Sequence, residues 1–220
     1  MTTKFETALR LIDAAHIQDP RLITIPSTTL TPTTPATQSQ SQPQDAKDQI
    51  QIPYELHYAN QMTTYLTLRL PTASEYLRLA IRAQHLKRWE VPRDTYPHTK
   101  PGYYAWRGYL AKRQAEITVQ ICLESGYSKD EAGRVGALVR KEGLRKEDED
   151  GEVQVLEDVA CLVFLDGQLE EFEGGVGDEG KVVDILRKTW GKMSLRGREL
   201  AIGIGQGRGR VMELVGKALS

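Results

Sequence analysis

Cysteine is scarce, with 2 in 220 residues. Cys122 and Cys161 each sit inside an apolar pattern at helical spacing, and no CxxC pair exists, so neither a disulfide framework nor a zinc ribbon is expected. Long apolar runs are also missing. The longest, near Val159 to Leu165, is far too short to span a bilayer. The start, Met1-Thr2-Thr3-Lys4-Phe5, lacks the apolar core of a signal peptide, and Glu6 and Asp13 argue against a mitochondrial presequence. Charge of one sign is lacking too: 29 Lys plus Arg face 30 Asp plus Glu, a net charge of -1. Nothing in that balance draws the chain toward nucleic acid or an anionic membrane. The expectation is a cytoplasmic protein, with the nucleus as the alternative location, that has neither a membrane nor a nucleic acid as partner. Period-2 alternation is the last absence. The Val, Ile and Thr runs are short or fit helical spacing better, which predicts an all-α fold.

What is present supports one helical domain over residues 1–220. Hydrophobic residues make up 40% of the chain, enough for a core. Thr3-x-x-Glu6 is a capping box opening a helix over 3–18, with Phe5, Leu9, Ile12 and Ala15/His16 on its apolar face. Residues 27–47, rich in Thr, Pro, Ser and Gln, cannot offset their ordering entropy by burial and read as a disordered insertion. Pro53 opens a helix to Arg69. Thr72-x-x-Glu75 is read as a second capping box, for a helix through Arg88. A helix over Pro101 to Glu124 follows, and Ser128-x-x-Glu131 caps another reaching Lys141. Residues 146–152 form an acidic turn, and Val153 to Phe172 is a helix apolar nearly all round, which is expected to be buried. After a Gly-rich acidic loop at 173–180 come helices over 182–193 and 210–219, with a short one at 194–202 between them.

Few residues suggest chemistry. His85 shares a stripe with Leu77 and Ile81 at four-residue steps, so it should face inward. A buried imidazole needs a carboxylate, a carbonyl or a metal as partner. His57 stands one turn into the preceding helix, and Asp158 opens the most buried helix. Each has a plain alternative: a satisfied core histidine, a half-exposed polar residue, a carboxylate complementing a helix dipole. Together, two imidazoles and a carboxylate would make a first shell for one divalent metal, Mn, Fe, Co, Ni or Zn. Glu90 could add a ligand or a general base. Arg88, Arg93, Lys100, Arg107, Arg140 and Lys141 are candidates to grip phosphate, and solvated helix faces are the alternative for each. Gly203 to Gly209 is not a nucleotide loop, since Arg208 occupies a required glycine position and no strand precedes it.

Four strings carry a resemblance: Arg82-Ala83-Gln84-His85-Leu86-Lys87-Arg88-Trp89-Glu90-Val91-Pro92-Arg93, Gly102-Tyr103-Tyr104-Ala105-Trp106-Arg107, Leu156 to Leu165, and Ile185 to Ser194. They resemble the bacterial and fungal domain-of-unknown-function family 4202, over the first helix and roughly Pro53 to Ile202. Some fungal members carry a glutamyl-tRNA synthetase label, an activity these residues do not support. The family pattern is similar to divergent HD phosphohydrolases, helical domains in which histidines and aspartates hold a divalent metal. That resemblance implies an HD-like bundle in which His57, His85 and Asp158 hold the metal, with Glu90 or Glu116 moving protons. It also implies a phosphorylated small molecule or nucleotide as substrate, oriented by Arg88, Arg93, Arg107, Arg140 and Lys141. Leu86 stands where the HD pattern has its paired Asp, and Gln114 where relatives carry His. The competing expectation is therefore a non-catalytic helical binding protein with a degenerate site.

Overall fold

The computed structural model describes residues 2–26, 49–143, 151–205 and 209–219. These form ten α-helices and one small antiparallel sheet. The helices are α1 (Lys4–His16), α2 (Tyr54–Arg69), α3 (Glu75–Arg82), α4 (Lys100–Glu124), α5 (Lys129–Val139), α6 (Glu152–Val163), α7 (Leu169–Val176), α8 (Glu179–Lys192), α9 (Leu195–Gly205) and α10 (Gly209–Leu219). The all-α expectation holds. Among the described residues no helix is long and apolar enough to cross a membrane. The polar insertion and the predicted acidic turn lie outside the described residues, apart from Gly151 and Glu152.

One hydrophobic core draws on every helix, with Leu169 contributed by α7 among the described residues. The predicted central helix, α6, is its axis. Val155, Leu156, Val159, Leu162 and Val163 are fully buried, and α6 packs against α2, α8 and α9. α4 lies on α5, and α8 on α10. Two capping boxes form as read. Thr3 and Glu6 close the start of α1, and Ser128 and Glu131 that of α5. Glu131 also pairs with Lys4 at 2.6 Å, tying the two helix starts together. The Lys4 bond and the cap amide hold its carboxyl down at about 2, against an ordinary 4.5. Such a group stabilises the fold above its unfolded value, and that stability is lost as pH falls toward the folded value. Glu131→Gln should therefore melt below wild type at pH 7. The gap should close between pH 4.5 and about 2, as measured by thermal melts across that range.

Four sequence expectations need correction. First, a strand pair exists. β1 (Leu22–Pro26) and β2 (Gln49–Pro53) run antiparallel, with Ile25 opposite Ile50, on either side of the insertion. Gln49-Ile50-Gln51-Ile52 does alternate, but its partner lies across a polar stretch that breaks the pattern. Second, the cap of α3 is Ser74, whose hydroxyl accepts from the Leu77 amide at 3.1 Å, rather than Thr72. Third, α3 ends at Arg82 and not Arg88, because His85 and Lys87 take left-handed backbone angles, φ 64° and 52°. Fourth, residues read as the start of an acidic loop continue in α7, reached from α6 through a π-turn over 164–168.

Candidate functional site

The early end of α3 makes the site. Residues 83–90 form a tight irregular turn instead of further helix. Left-handed conformations in residues with a Cβ cost roughly 1–3 kcal/mol each, so something must hold them. Glu55, fully buried on α2, does so: its two oxygens accept from the Lys87 and Trp89 amides, each at 2.9 Å. On the other side, His16 Nε2 meets the Arg82 carbonyl at 2.9 Å. A carbonyl only accepts, so Nε2 carries the proton.

This turn forms one wall of a cleft of about 1390 Å³. The strand pair brings Arg21 and Tyr54 to it, since the Tyr54 amide donates to the Arg21 carbonyl at 2.8 Å and extends the ladder. α4 supplies Tyr103, Tyr104, Arg107 and Gln114. The end of α5 adds Arg140 and Lys141, the latter left-handed at φ 57° where glycine is usual. α6 adds Glu157 and Cys161, and α8 adds Lys188 and Lys192.

Seven cationic side chains line the cleft against the carboxylates of Glu55 and Glu157. Several are neutralised. Arg21 binds Asp19 through two bonds of 2.9 and 2.7 Å, Arg140 meets Glu142 at 2.6 Å, and Lys141 and Lys192 share Glu157. Burial alone would raise the Glu157 carboxyl, but the two lysines hold it down. Arg88, Arg107 and Lys188 have no carboxylate partner among the described residues. Arg88 donates to His85 Nε2 at 2.7 Å and lies over the Trp106 ring, 4.7 Å from its centre. Among the described residues Arg107 meets Tyr103 alone, through its hydroxyl at 3.2 Å and over its ring. Burial, and then the neighbouring Arg107, push the Arg88 pKa below that of a free guanidinium.

His85 stacks on Tyr58, with ring centres 3.9 Å apart and planes within 11°. Burial, followed by Arg88 and Arg107, drives its pKa well below 6.5, so it is neutral at physiological pH. With Nε2 accepting from Arg88, the proton sits on Nδ1. Cys161 is no nucleophile, since burial pushes its thiol up to about 12.

Of the residues singled out from sequence, His85, Arg88, Arg107, Arg140 and Lys141 meet in the cleft. Gln114 lines it too, and the other candidate site residues do not. His57 is half-buried on α2, where burial lowers its pKa. Glu90 pairs with Arg113, and Glu116 stands exposed 3.9 Å from Lys112. Arg93 braces its own loop through the Tyr96 and Pro97 carbonyls, each at 2.8 Å. Lys100 is exposed at the start of α4.

Asp158 is fully buried and fully engaged. It accepts from Arg69 Nε at 2.8 Å, the Ser194 amide at 2.8 Å, the Ser194 hydroxyl and Gln154 Nε2 at 3.0 Å. A Cβ on Gly197 would stand 2.6 Å from its carboxyl, so only glycine lets α9 approach this closely. A carboxylate saturated by donors and facing a guanidinium has no lone pair left for a metal. With His85 Nε2 also taken by Arg88, His57, His85 and Asp158 do not fit a shared divalent ion. Among the described residues no group of three His, Cys, Asp or Glu side chains could hold one.

A family model described as "Domain of unknown function (DUF4202)" matches residues 6–215. The chain belongs to that family. No curated protein and no solved structure matches it. The DUF4202 match covers every element that builds the cleft, from Arg21 to Lys192. Sequence reasoning missed Arg21, Lys188, Lys192, Glu55 and Glu157. The first three look like ordinary solvated cations in their own segments. Glu55, in the first turn of α2, looks like an ordinary dipole partner.

Proposed function

We propose that the cleft binds a phosphorylated small molecule through Arg88 and Arg107, without a metal held by His57, His85 and Asp158. The observation that carries this reading is the pair of neighbouring guanidiniums with no carboxylate partner among the described residues. Bringing two cations together, one of them half-buried, is unfavourable unless an anion offsets their repulsion. A phosphate offers oxygens in the geometry a guanidinium fork matches, in bonds stronger than neutral ones. His85 remains a neutral partner that fixes the Arg88 head group, and Tyr58 fixes the ring. The strain in the 83–90 turn fits the same role, because left-handed residues persist where a site is held in one shape.

The test is a thermal-shift series with pyrophosphate, sugar phosphates and matched uncharged sugars, in the presence of a chelator. Phosphate compounds should raise the melting temperature in a salt-sensitive way, and uncharged sugars should not. Absence of any phosphate effect would overturn the reading. So would phosphatase activity that requires added Mn²⁺ and is lost in His57→Ala, the pattern the HD resemblance implies.

A further inference from the structure

Gln114 is 7 % exposed, lines the cleft, and makes no side-chain hydrogen bond among the described residues. Only its backbone carbonyl is used, by the Thr118 hydroxyl at 2.7 Å. Among the described residues the enclosed side-chain atoms without a partner are His16 Nδ1 and Trp89 Nε1, so the Gln114 amide opens onto the cleft, where a ligand can meet it. Gln84, which lines the same cleft and is as buried, is tied to the Ala80 carbonyl at 3.2 Å.

Arg107 and Gln114 are seven residues apart on α4, hence on one face and roughly 10 Å apart along the axis. Between them on that face is Ala111, with only a methyl group. Beside it, a Cβ added at Gly108 would meet open space. The wall of α4 therefore presents a cation, a flat gap and an unpartnered amide in sequence.

We infer that Gln114 is a specificity-determining contact. The ligand phosphate lies at Arg88 and Arg107, and about two helical turns away the ligand presents a neutral edge with both a donor and an acceptor. A carboxamide or a ring lactam has that edge, and an amide side chain pairs with it through two hydrogen bonds. The inference rests on the phosphate reading above and adds the chemistry of the ligand's other end. An analogue lacking the matching groups would cover the Gln114 amide and leave it unpaired, so the site discriminates strongly against it.

The experiment measures affinities of four probes by calorimetry: inorganic phosphate, ribose 5-phosphate, inosine 5′-monophosphate and nicotinamide mononucleotide. The last two carry a lactam and a carboxamide. At least one should bind roughly 10- to 100-fold tighter than ribose 5-phosphate. Gln114→Met should erase that advantage while leaving phosphate and ribose 5-phosphate affinities unchanged, which a loss of fold would not do. Ala111→Leu, which fills the gap without touching the amide, should act the same way. Equal binding of all the esters, or an advantage that survives Gln114→Met, overturns the inference and leaves the phosphate reading standing. If none of the probes binds, the phosphate reading fails and this inference falls with it.

Discussion

Arg88→Met will weaken binding of a phosphorylated ligand by roughly 10- to 100-fold, the worth of a charge-assisted hydrogen bond of about 1.5–3 kcal/mol. The same variant will stay within about 1 kcal/mol of wild-type stability, the lost bond to His85 Nε2 being offset by relief of the repulsion with Arg107. Methionine keeps the alkyl stem over Trp106, where the guanidinium now lies. It removes a half-buried cation that burial and Arg107 disfavour. Loss of affinity with little loss of stability is the signature of a residue placed for a ligand and not for the fold. Calorimetry and thermal melts on the two proteins decide it. A destabilisation above about 1 kcal/mol would mean that Arg88 packs the fold and that the cleft charge is incidental.

Asp158→Ala will do the reverse. It will unfold the protein readily, costing about 3–5 kcal/mol, because the buried Arg69 guanidinium loses its bond and ion pair to Asp158. At roughly 2–4 °C per kcal/mol for a chain of this size, the melting temperature should fall by about 6–20 °C. The Ser194 amide and Gln154 lose their acceptor as well, so α2, α6 and the start of α9 come apart together. Chemical denaturation of wild type and variant measures the difference. The metal-ligand reading predicts instead a stable variant that has lost only a bound ion. Gly197→Ala should destabilise for the related reason that its methyl would press on the Asp158 carboxyl.

These two residues show what was legible from the chain. Asp158 could be recognised as an inward acid on the most apolar helix. Its partner Arg69 lies 89 positions away on a helix whose arginine reads as an ordinary last-turn cation, so the pair stayed hidden. His85 was singled out, but through a helical stripe that the structure does not contain. What places it is the left-handed turn, and that turn depends on Glu55, 32 and 34 positions from the amides it holds. Caps and helix periods are local, and those at Thr3 and Ser128 were readable. Arg21 enters the cleft only because β1 pairs with β2 across the insertion. A local pattern carries no sign of that closure.

The central claim is that Arg88 and Arg107, which have no carboxylate partner among the described residues, and not a metal trio, define the site. A crystal structure of the protein grown with pyrophosphate and Mn²⁺ tests it most directly. The account predicts a phosphate group bonded to the Arg88 and Arg107 guanidiniums, with Asp158 still held by Arg69 and Ser194. A manganese ion ligated by His57, His85 and Asp158, with Arg69 displaced, would contradict it.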